Sequence, residues 1–225
     1  MKPMNEQHLA ILRRHMVEVI DIHFDLASDE LGKDRLSEPL RSAMLEVPRH
    51  LFVPAQLASV AYHDTPLPIG FDKTVSQPFI GGLMLELLDP QPEQKVLEVG
   101  TGFGYQAAIL AELGARVWSV EIVEEFASEA SLRLMTMGYS GVSVRVGDGS
   151  RGWPDHAPFD RILVTAAAKE PPQPLIDQLR PGGRMVIPLG GKDVQHLSVV
   201  RKTPFGTVET TDVIAVRFTQ LETVA

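Results

Sequence analysis

The sequence contains no cysteine, which excludes disulfide bonds, thiolate metal sites and a cysteine nucleophile. It also has no uncharged apolar run of about 18 residues, the length that a membrane-spanning helix requires. Arg13 and Arg14 interrupt the first apolar stretch, so we expect no secretory signal. A chain without cysteine suits a reducing compartment, and we expect a cytoplasmic protein that does not engage a membrane.

Basic residues are also scarce. The chain has 21 lysines and arginines against 29 aspartates and glutamates, a formal net charge of -8. This balance argues against a general nucleic-acid binder, whose footprint is a basic patch. The seven histidines show no metal-ligand spacing such as H-x-x-x-H, and we expect no metal site.

The chain does contain a glycine-rich motif at residues 95–108, KVLEVGTGFGYQAA. An apolar run leads into Gly100, Gly102 and Gly104, and residues of helix-forming composition follow. Strand, glycine turn and helix are the layout of a nucleotide-binding α/β unit. Glycines allow a tight backbone turn and a close approach to a ligand where a Cβ atom would clash.

The spacing of this motif differs from the dinucleotide pattern G-x-G-x-x-G, because a single residue separates each pair of glycines. Glu98 precedes the first glycine, and a carboxylate is a poor neighbour for a phosphate but a good one for a cation. These features favour a nucleoside ligand that carries positive charge and no phosphate. S-adenosylmethionine fits this description; the alternative is an ordinary glycine-rich turn between a strand and a helix.

The rest of the sequence predicts an α/β fold with a Rossmann-like, doubly wound, mostly parallel sheet and helices on both faces. An N-terminal helical and loop extension precedes it, with helices expected over residues 5–22, 38–47 and 79–88 and an irregular stretch over 62–78. We expect a single domain over residues 1–225, in which 1–90 form the helical and substrate-loop region and 91–225 the cofactor-binding core. Strands are expected at 96–99, 116–121, 142–146, 161–165 and 184–188, with a terminal pair at 196–202 and 213–219, and helices at 105–113, 124–137 and near 174–178.

Two further acidic residues follow predicted strands. Glu121 ends the second strand of the core, where an acidic residue typically binds the ribose hydroxyls of an adenosine ligand. Asp148 ends the third strand and can accept a hydrogen bond from the adenine amino group. The alternatives are a solvated carboxylate for Glu121 and a turn-forming Asp-Gly pair for Asp148.

Several segments together resemble one family. VLEVGTGFGYQAA, VEI, VGDG, FDRILVTAAA and LRPGGRMVIPLG resemble the class I S-adenosylmethionine-dependent methyltransferases. VPRHLFVP at 47–54, YHD at 62–64, LPIG at 67–70 and TVSQP at 74–78 resemble, more narrowly, the protein-L-isoaspartate (D-aspartate) O-methyltransferase family. The TVSQP segment is the most family-specific of these.

This resemblance implies methyl transfer from S-adenosylmethionine to the free carboxylate of L-isoaspartyl or D-aspartyl residues in damaged proteins, with S-adenosylhomocysteine as the product. The methyl ester then cyclises to a succinimide, whose hydrolysis restores some normal aspartate. Damaged proteins and peptides are the expected partners, and we expect the chain to act as a monomer. The resemblance makes Ser76 the active-site residue and gives these candidate cofactor-binding residues: Thr74, Val75, Glu98, Gly100, Thr101, Gly102, Gly104, Glu121, Ile122, Asp148 and Gly149.

The chemistry of methyl transfer to a carboxylate suits a serine. A carboxylate is already ionised at neutral pH, so the reaction needs no strong general base. The hydroxyl of Ser76 can hold one carboxylate oxygen without neutralising it and leave the other free to attack. The structural alternative is that Ser76, or a nearby residue, caps the helix that follows.

Other segments depart from the family pattern, namely residues 21–35, 71–73, Gly81 and the C-terminal residues 217–222. They leave two alternative functions open. The chain could methylate a carboxylate of another peptide or small molecule, or it could be a non-catalytic module that binds S-adenosylmethionine.

Overall fold

The computed structural model describes residues 5–224. The chain forms two compact units, Met1–Glu86 and Leu87–Ala225. The limits of the predicted domain, residues 1 and 225, lie outside the described residues, and the joining of both units into one functional domain stays a prediction. Within residues 5–224, no helix combines the length and the apolar character needed to span a membrane.

The first unit begins with a long amphipathic helix, α1 (Glu6–Leu26). Asn5 caps it by accepting a hydrogen bond from the Gln7 backbone N–H. The apolar stripe continues to the buried Phe24, and the helix therefore extends one turn beyond the predicted end at residue 22. The other helices that begin in this unit are α2 (Ser28–Leu31), α3 (Glu38–Glu46) and α4 (Pro78–Leu88), of which α4 ends just beyond the unit's last residue, Glu86. There are 3-10 turns at Arg49–Phe52 and Ala55–Val60.

The stretch over residues 62–78 was expected to be irregular, but it contains a small antiparallel hairpin. Strand β1 (Leu67–Gly70) pairs with β2 (Lys73–Val75). Phe71 and Asp72 form the turn, with φ angles of 50° and 55°. Positive φ at both central residues is the geometry of a type I′ hairpin turn, which glycine and asparagine usually provide. Because Phe71 is an unusual residue for that turn, the sequence pattern did not reveal the hairpin.

The second unit is built on a seven-stranded sheet with the order β5-β4-β3-β6-β7-β8-β9. The first five strands in that order are parallel, and β8 and β9 add antiparallel pairs at one edge. This confirms the predicted Rossmann-like, mostly parallel sheet. The strands are β3 (Lys95–Val99), β4 (Arg116–Glu121), β5 (Val142–Val146), β6 (Phe159–Val164), β7 (Leu179–Gly190), β8 (Gln195–Lys202) and β9 (Val208–Val216), and the helices are α5 (Tyr105–Glu112), α6 (Glu124–Thr136) and α7 (Gln173–Gln178).

Two strands, β7 and β9, begin five residues earlier than expected. The Pro-Gly-Gly sequence at 181–183 was expected to be a turn before a strand, but β7 already begins at Leu179. Its pairing with β6 shifts register there, since Phe159 pairs with Leu179 while Arg161 pairs with Arg184. The turn residues therefore form a bulge within the strand. At the sheet edge, β9 begins at Val208 rather than at 213, because β8 and β9 are joined by a tight turn at residues 203–207.

The central strands form the core of the second unit. Leu97, in the middle of β3, has no exposed surface and packs in a cluster with residues of β4, β6 and β7. A strand buried on both faces reads as a continuous apolar run, which is why the sequence located β3 correctly.

Leu97→Ala is expected to lower the free energy of unfolding by about 2–5 kcal/mol, because it leaves a cavity in this core. Leu132→Ala provides the matched control, since Leu132 on α6 is 61% exposed and its truncation should change stability by no more than about 0.5 kcal/mol. Urea unfolding at fixed pH measures both. Equal effects of the two substitutions would contradict the assignment of Leu97 to the core.

Candidate active site

The sheet of the second unit reverses its direction of winding between β3 and β6. From β3 the chain winds outward through β4 to β5, and it then returns to place β6 on the other side of β3. In open α/β sheets, ligands bind outside the carboxyl ends of the strands at such a switch point. Backbone hydrogen bonds align these ends, from Gly100 N–H to the Val120 carbonyl at 2.9 Å and from Thr165 N–H to the Val99 carbonyl at 2.9 Å.

Glu98 lies in β3 next to this switch point, and its side chain is fully buried. The parallel register places Glu98 beside Ser119 on β4. The Ser119 hydroxyl donates to Glu98 Oε2 at 2.5 Å, and the Thr101 hydroxyl lies 2.5 Å from the same serine oxygen. The three side chains form one buried polar chain. Ser119 was not among the predicted site residues, although a single serine in the buried run VWSVE was a signal for a polar partner.

Burial of Glu98 raises its pKa to about 8; the hydrogen bond from Ser119 opposes this shift, and the charge of Glu121 adds to it. Among the described residues, Glu98 Oε1 is buried without a hydrogen-bond partner. An unpartnered buried carboxyl oxygen is costly unless another group compensates for it. A nearby cation would stabilise the ionised form, so Glu98 fits a ligand with an ammonium or sulfonium group. Because the side chain has no exposed surface, its effect on such a ligand is electrostatic.

Glu121 ends β4 and organises the glycine turn. Its Oε2 accepts a hydrogen bond from Gly102 N–H at 2.7 Å, and its Oε1 accepts one from Val123 N–H at 3.0 Å. A carboxylate has about four acceptor positions, so each oxygen keeps capacity for a further donor. Two adjacent ribose hydroxyls match that remaining capacity. The half-buried Ile122 follows directly in the chain.

Asp148 follows β5 and caps the 3-10 turn Gly149–Arg151. Its Oδ1 accepts hydrogen bonds from the backbone N–H and the hydroxyl of Ser150, and its Oδ2 accepts one from Val224 N–H at 3.1 Å. Burial by itself raises the pKa of Asp148, but these hydrogen bonds and the nearby Arg151 outweigh it and the pKa is lowered. The turn-forming role considered for Asp148 is therefore present, and a role toward adenine stays a prediction.

A Cβ atom added at three glycines of this site would meet protein atoms rather than open space. A Cβ atom on Gly100, whose φ is 95°, would lie 2.3 Å from the Thr165 hydroxyl oxygen. A Cβ atom on Gly149 would lie 2.3 Å from Val99 Cγ1, and one on Gly104, with φ of 93°, would lie 3.1 Å from Leu134 Cδ1. Glycine is therefore favoured at Gly100 by packing and by its positive φ, at Gly104 mainly by its positive φ, and at Gly149 by packing, before any ligand is considered.

The first unit contains the other predicted site residues. Thr74 is exposed on β2, Val75 is buried beside it, and Ser76 lies half-buried between β2 and α4. The first turn of α4 is capped by Asp64, whose Oδ1 accepts a hydrogen bond from Phe79 N–H at 2.8 Å. This contact supplies the cap that was the structural alternative for Ser76 or a near neighbour. Nearby, His50 Nδ1 lies 2.8 Å from the Tyr62 hydroxyl oxygen, within hydrogen-bond distance.

Within residues 5–224, no group of three or more histidine, aspartate or glutamate side chains is placed to hold a metal ion. The polar groups of the switch point are instead two buried carboxylates, hydroxyls and backbone N–H groups. A Rossmann-like sheet with an acidic residue before the glycine turn and another at the end of the next strand defines the class I methyltransferase type of domain.

Comparison with known proteins narrows this class. Residues 28–224 match the model of the protein-L-isoaspartate(D-aspartate) O-methyltransferase family. The chain is 49% identical over 219 residues to protein-L-isoaspartate O-methyltransferase 1 of Polaromonas sp., covering 97% of this chain and 93% of that relative. The chain belongs to the protein-L-isoaspartate(D-aspartate) O-methyltransferase family.

Solved structures agree with this assignment. A protein-L-isoaspartate O-methyltransferase superposes with a TM-score of 0.79 at 27% identity, covering 92% of this chain and 65% of that one, just under two thirds of its length. A Plasmodium falciparum beta-aspartate methyltransferase in complex with S-adenosyl-L-homocysteine superposes with a TM-score of 0.77 over 93% of this chain and 98% of that one. At 20% identity, this second likeness shows the shared fold.

The buried Glu98 predicts a pH-dependent stability. Its pKa of about 8 in the folded chain lies above the ordinary value of 4.5, so the folded state holds its proton more tightly than the unfolded state. The contribution of Glu98 is therefore favourable at low pH and is lost as pH rises from about 4.5 through about 8, by a few kcal/mol at about 1.4 kcal/mol per pKa unit.

Glu98→Gln removes this titration while keeping the shape of the protonated side chain. The difference in unfolding free energy between variant and parent should therefore move in favour of the variant as pH rises from 5 to 8.5. Urea unfolding across that range measures it. Parallel pH profiles for the two proteins would contradict the raised pKa.

Proposed function

We propose that the chain transfers a methyl group from S-adenosylmethionine to the free carboxylate of L-isoaspartyl and D-aspartyl residues in damaged proteins, as the first step of their repair. The observation that carries this proposal is the family match over residues 28–224, which includes the TVSQP segment at 74–78. Supporting observations come from each unit separately. The second unit has polar groups that suit a positively charged adenosyl ligand, and in the first unit hydrogen bonds fix the segment that contains Ser76.

The second unit supplies the groups for the cofactor. S-adenosylmethionine, when bound, supplies an electrophilic methyl group on a positively charged sulfur atom. Glu98 favours that positive charge electrostatically, and Glu121 offers its remaining acceptor positions to the ribose hydroxyls. Asp148 is the candidate acceptor for the adenine amino group, and Thr101, Ile122 and the glycines Gly100, Gly102, Gly104 and Gly149 shape the surrounding backbone.

The first unit supplies the groups for the acceptor. The Ser76 hydroxyl donates a hydrogen bond to one oxygen of the substrate carboxylate and leaves the other oxygen to attack the methyl carbon. A neutral donor suits this task because the attacking anion keeps its charge until the new bond forms. Alignment of the two reacting groups supplies much of the rate enhancement. Thr74 and Val75, which precede Ser76 in the chain, stay the candidate cofactor-binding residues of this unit.

The proposal extends to partners and location. The net charge of -8 supports a protein that does not bind nucleic acid. The lack of cysteine supports action in the cytoplasm. We propose that it acts there as a monomer on damaged proteins and peptides.

Labelled S-adenosylmethionine and a pair of peptides test the reaction. The two peptides share one sequence and differ only in an isoaspartyl or an aspartyl linkage. We expect label in a base-labile ester on the isoaspartyl peptide and little on its twin. Equal labelling of both would favour a broader carboxyl methyltransferase, and cofactor binding by calorimetry without labelling of either would favour a non-catalytic binding module; both results contradict the repair function.

A pair of substitutions tests the division of roles. Ser76→Ala should lower kcat by about 10²-fold or more, because the acceptor carboxylate loses its orienting donor, while the Kd for S-adenosylmethionine stays within about two-fold. Glu121→Ala should have its main effect on that Kd, which should rise, because the ribose acceptor and the anchor of the glycine turn are both lost. Calorimetry and initial-rate kinetics on both variants measure the contrast. The reverse pattern would make Ser76 a cofactor or structural residue.

A further inference from the structure

Ser76 is the proposed acceptor-binding residue, and two polar clamps within the first unit hold the chain around it. The first is Arg49, which is 1% exposed. Its Nη2 donates to the Ser76 carbonyl oxygen at 2.7 Å, and its Nε donates to the Ala61 carbonyl oxygen at 2.8 Å. A guanidinium has a rigid fork of donors, so these two bonds fix the Ser76 backbone relative to the segment around Ala61.

The second clamp is Asp64, whose carboxylate holds the chain on the other side of Ser76. Its Oδ2 accepts a hydrogen bond from Gln77 Nε2 at 2.8 Å, and its Oδ1 accepts one from Phe79 N–H at 2.8 Å. The side chain of Asp64 is only 10% exposed. A buried carboxylate is costly unless its hydrogen bonds compensate for it, and those it makes here are directed at the residues that follow Ser76.

Helix α1 supports the same carboxylate. His23 Nδ1 lies 2.9 Å from Asp64 Oδ2. The two atoms are close enough to form an ion pair when His23 is protonated. The His23 ring also packs edge-on against Phe79, with centroids 5.1 Å apart. The two carboxylate oxygens of Asp64 therefore join α1, Gln77 and the start of α4.

We propose that Asp64 and Arg49 are positioning residues that fix the location of the Ser76 hydroxyl for the methyl-transfer reaction. The inference rests on the proposed function, in which Ser76 orients the acceptor carboxylate. Ser76 lies between β2 and α4. Arg49 holds its carbonyl oxygen, and Asp64 holds the residues that follow it. A displacement of about 1 Å in an aligned reaction can cost about 10²-fold in rate. Asp64 and Arg49 act through Ser76 and do not themselves touch the substrate.

Asp64→Ala removes the second clamp while leaving Ser76 in the chain. We expect kcat for an isoaspartyl peptide to fall by about 10- to 100-fold, with the Kd for S-adenosylmethionine within about two-fold of the parent. Asp64→Asn should restore most of the rate. The amide oxygen of the new asparagine can still accept a hydrogen bond from Phe79 N–H, and the Gln77 amide can turn so that its oxygen accepts one from the new amide NH₂ group. A failure of Asn to restore activity would overturn the clamp geometry.

A double-mutant cycle with Ser76→Ala separates positioning from general damage. If Asp64 acts through Ser76, adding Asp64→Ala to the Ser76→Ala protein should change kcat by less than about two-fold, because the group that it positions is already absent. Multiplying losses would show that Asp64 acts independently of Ser76 and would overturn the proposal. Arg49→Lys, which keeps the charge but loses the fork, should follow the same non-additive pattern.

Val17→Ala is the control for loss of stability alone. Val17 is fully buried on α1, so its truncation should lower the melting temperature without reducing kcat. A loss of kcat in this control equal to that of Asp64→Ala would overturn the positioning role. If Asp64→Ala does not fold, Gln77→Met removes one bond of the clamp and should lower kcat by about 3- to 10-fold, and an unchanged kcat would overturn the proposal.

The same experiments separate this inference from the proposed function. Full activity of Ser76→Ala, or equal methylation of the isoaspartyl and aspartyl peptides, would count against the proposed function. A large effect of Ser76→Ala combined with no effect of Asp64→Ala would leave the proposed function in place and remove only the positioning role.

Discussion

The burial of a carboxyl group at the end of the central strand is the constraint on which the cofactor-binding unit depends. Glu98 has no exposed surface, and one of its oxygens accepts a hydrogen bond from Ser119 on the neighbouring strand. The hydroxyl of Thr101 in the glycine turn contacts that same serine. That arrangement requires the parallel register of β3 and β4. The same turn is anchored by Glu121, which accepts a hydrogen bond from Gly102 N–H. A cationic ligand at the switch point would stabilise the ionised form of Glu98, whose burial raises its pKa.

The two compact units hold different parts of the proposed chemistry by similar means. In each unit, a buried charged or ionisable side chain fixes a short non-repetitive segment: Glu121 fixes the glycine turn, and Arg49 and Asp64 fix the segment around Ser76. Both segments connect a strand to a helix. Short connections of this kind are suited to binding because the elements on either side are held by their own packing.

Much of the fold could be predicted from periodicity and turn residues. The parallel core strands, α5 and α6 were located within a few residues because their apolar patterns are continuous. The hairpin β1–β2 was missed because Phe71 and Asp72 adopt positive φ without the glycine or asparagine that usually marks such a turn. The bulge in β7 was mistaken for a turn because Pro-Gly-Gly has the same local preference in both, and only pairing with β6 distinguishes them.

The sequence by itself determined the class of fold, the family and the residue types of the candidate site, because glycine spacing, acidic residues at strand ends and the TVSQP segment are local patterns. Only the tertiary structure decided which groups surround them. The pKa of Glu98 depends on its complete burial and on Ser119, 21 residues away in the chain. The support of Ser76 depends on Arg49, 27 residues before it. Such contacts follow from strand register and helix packing, which no local pattern specifies.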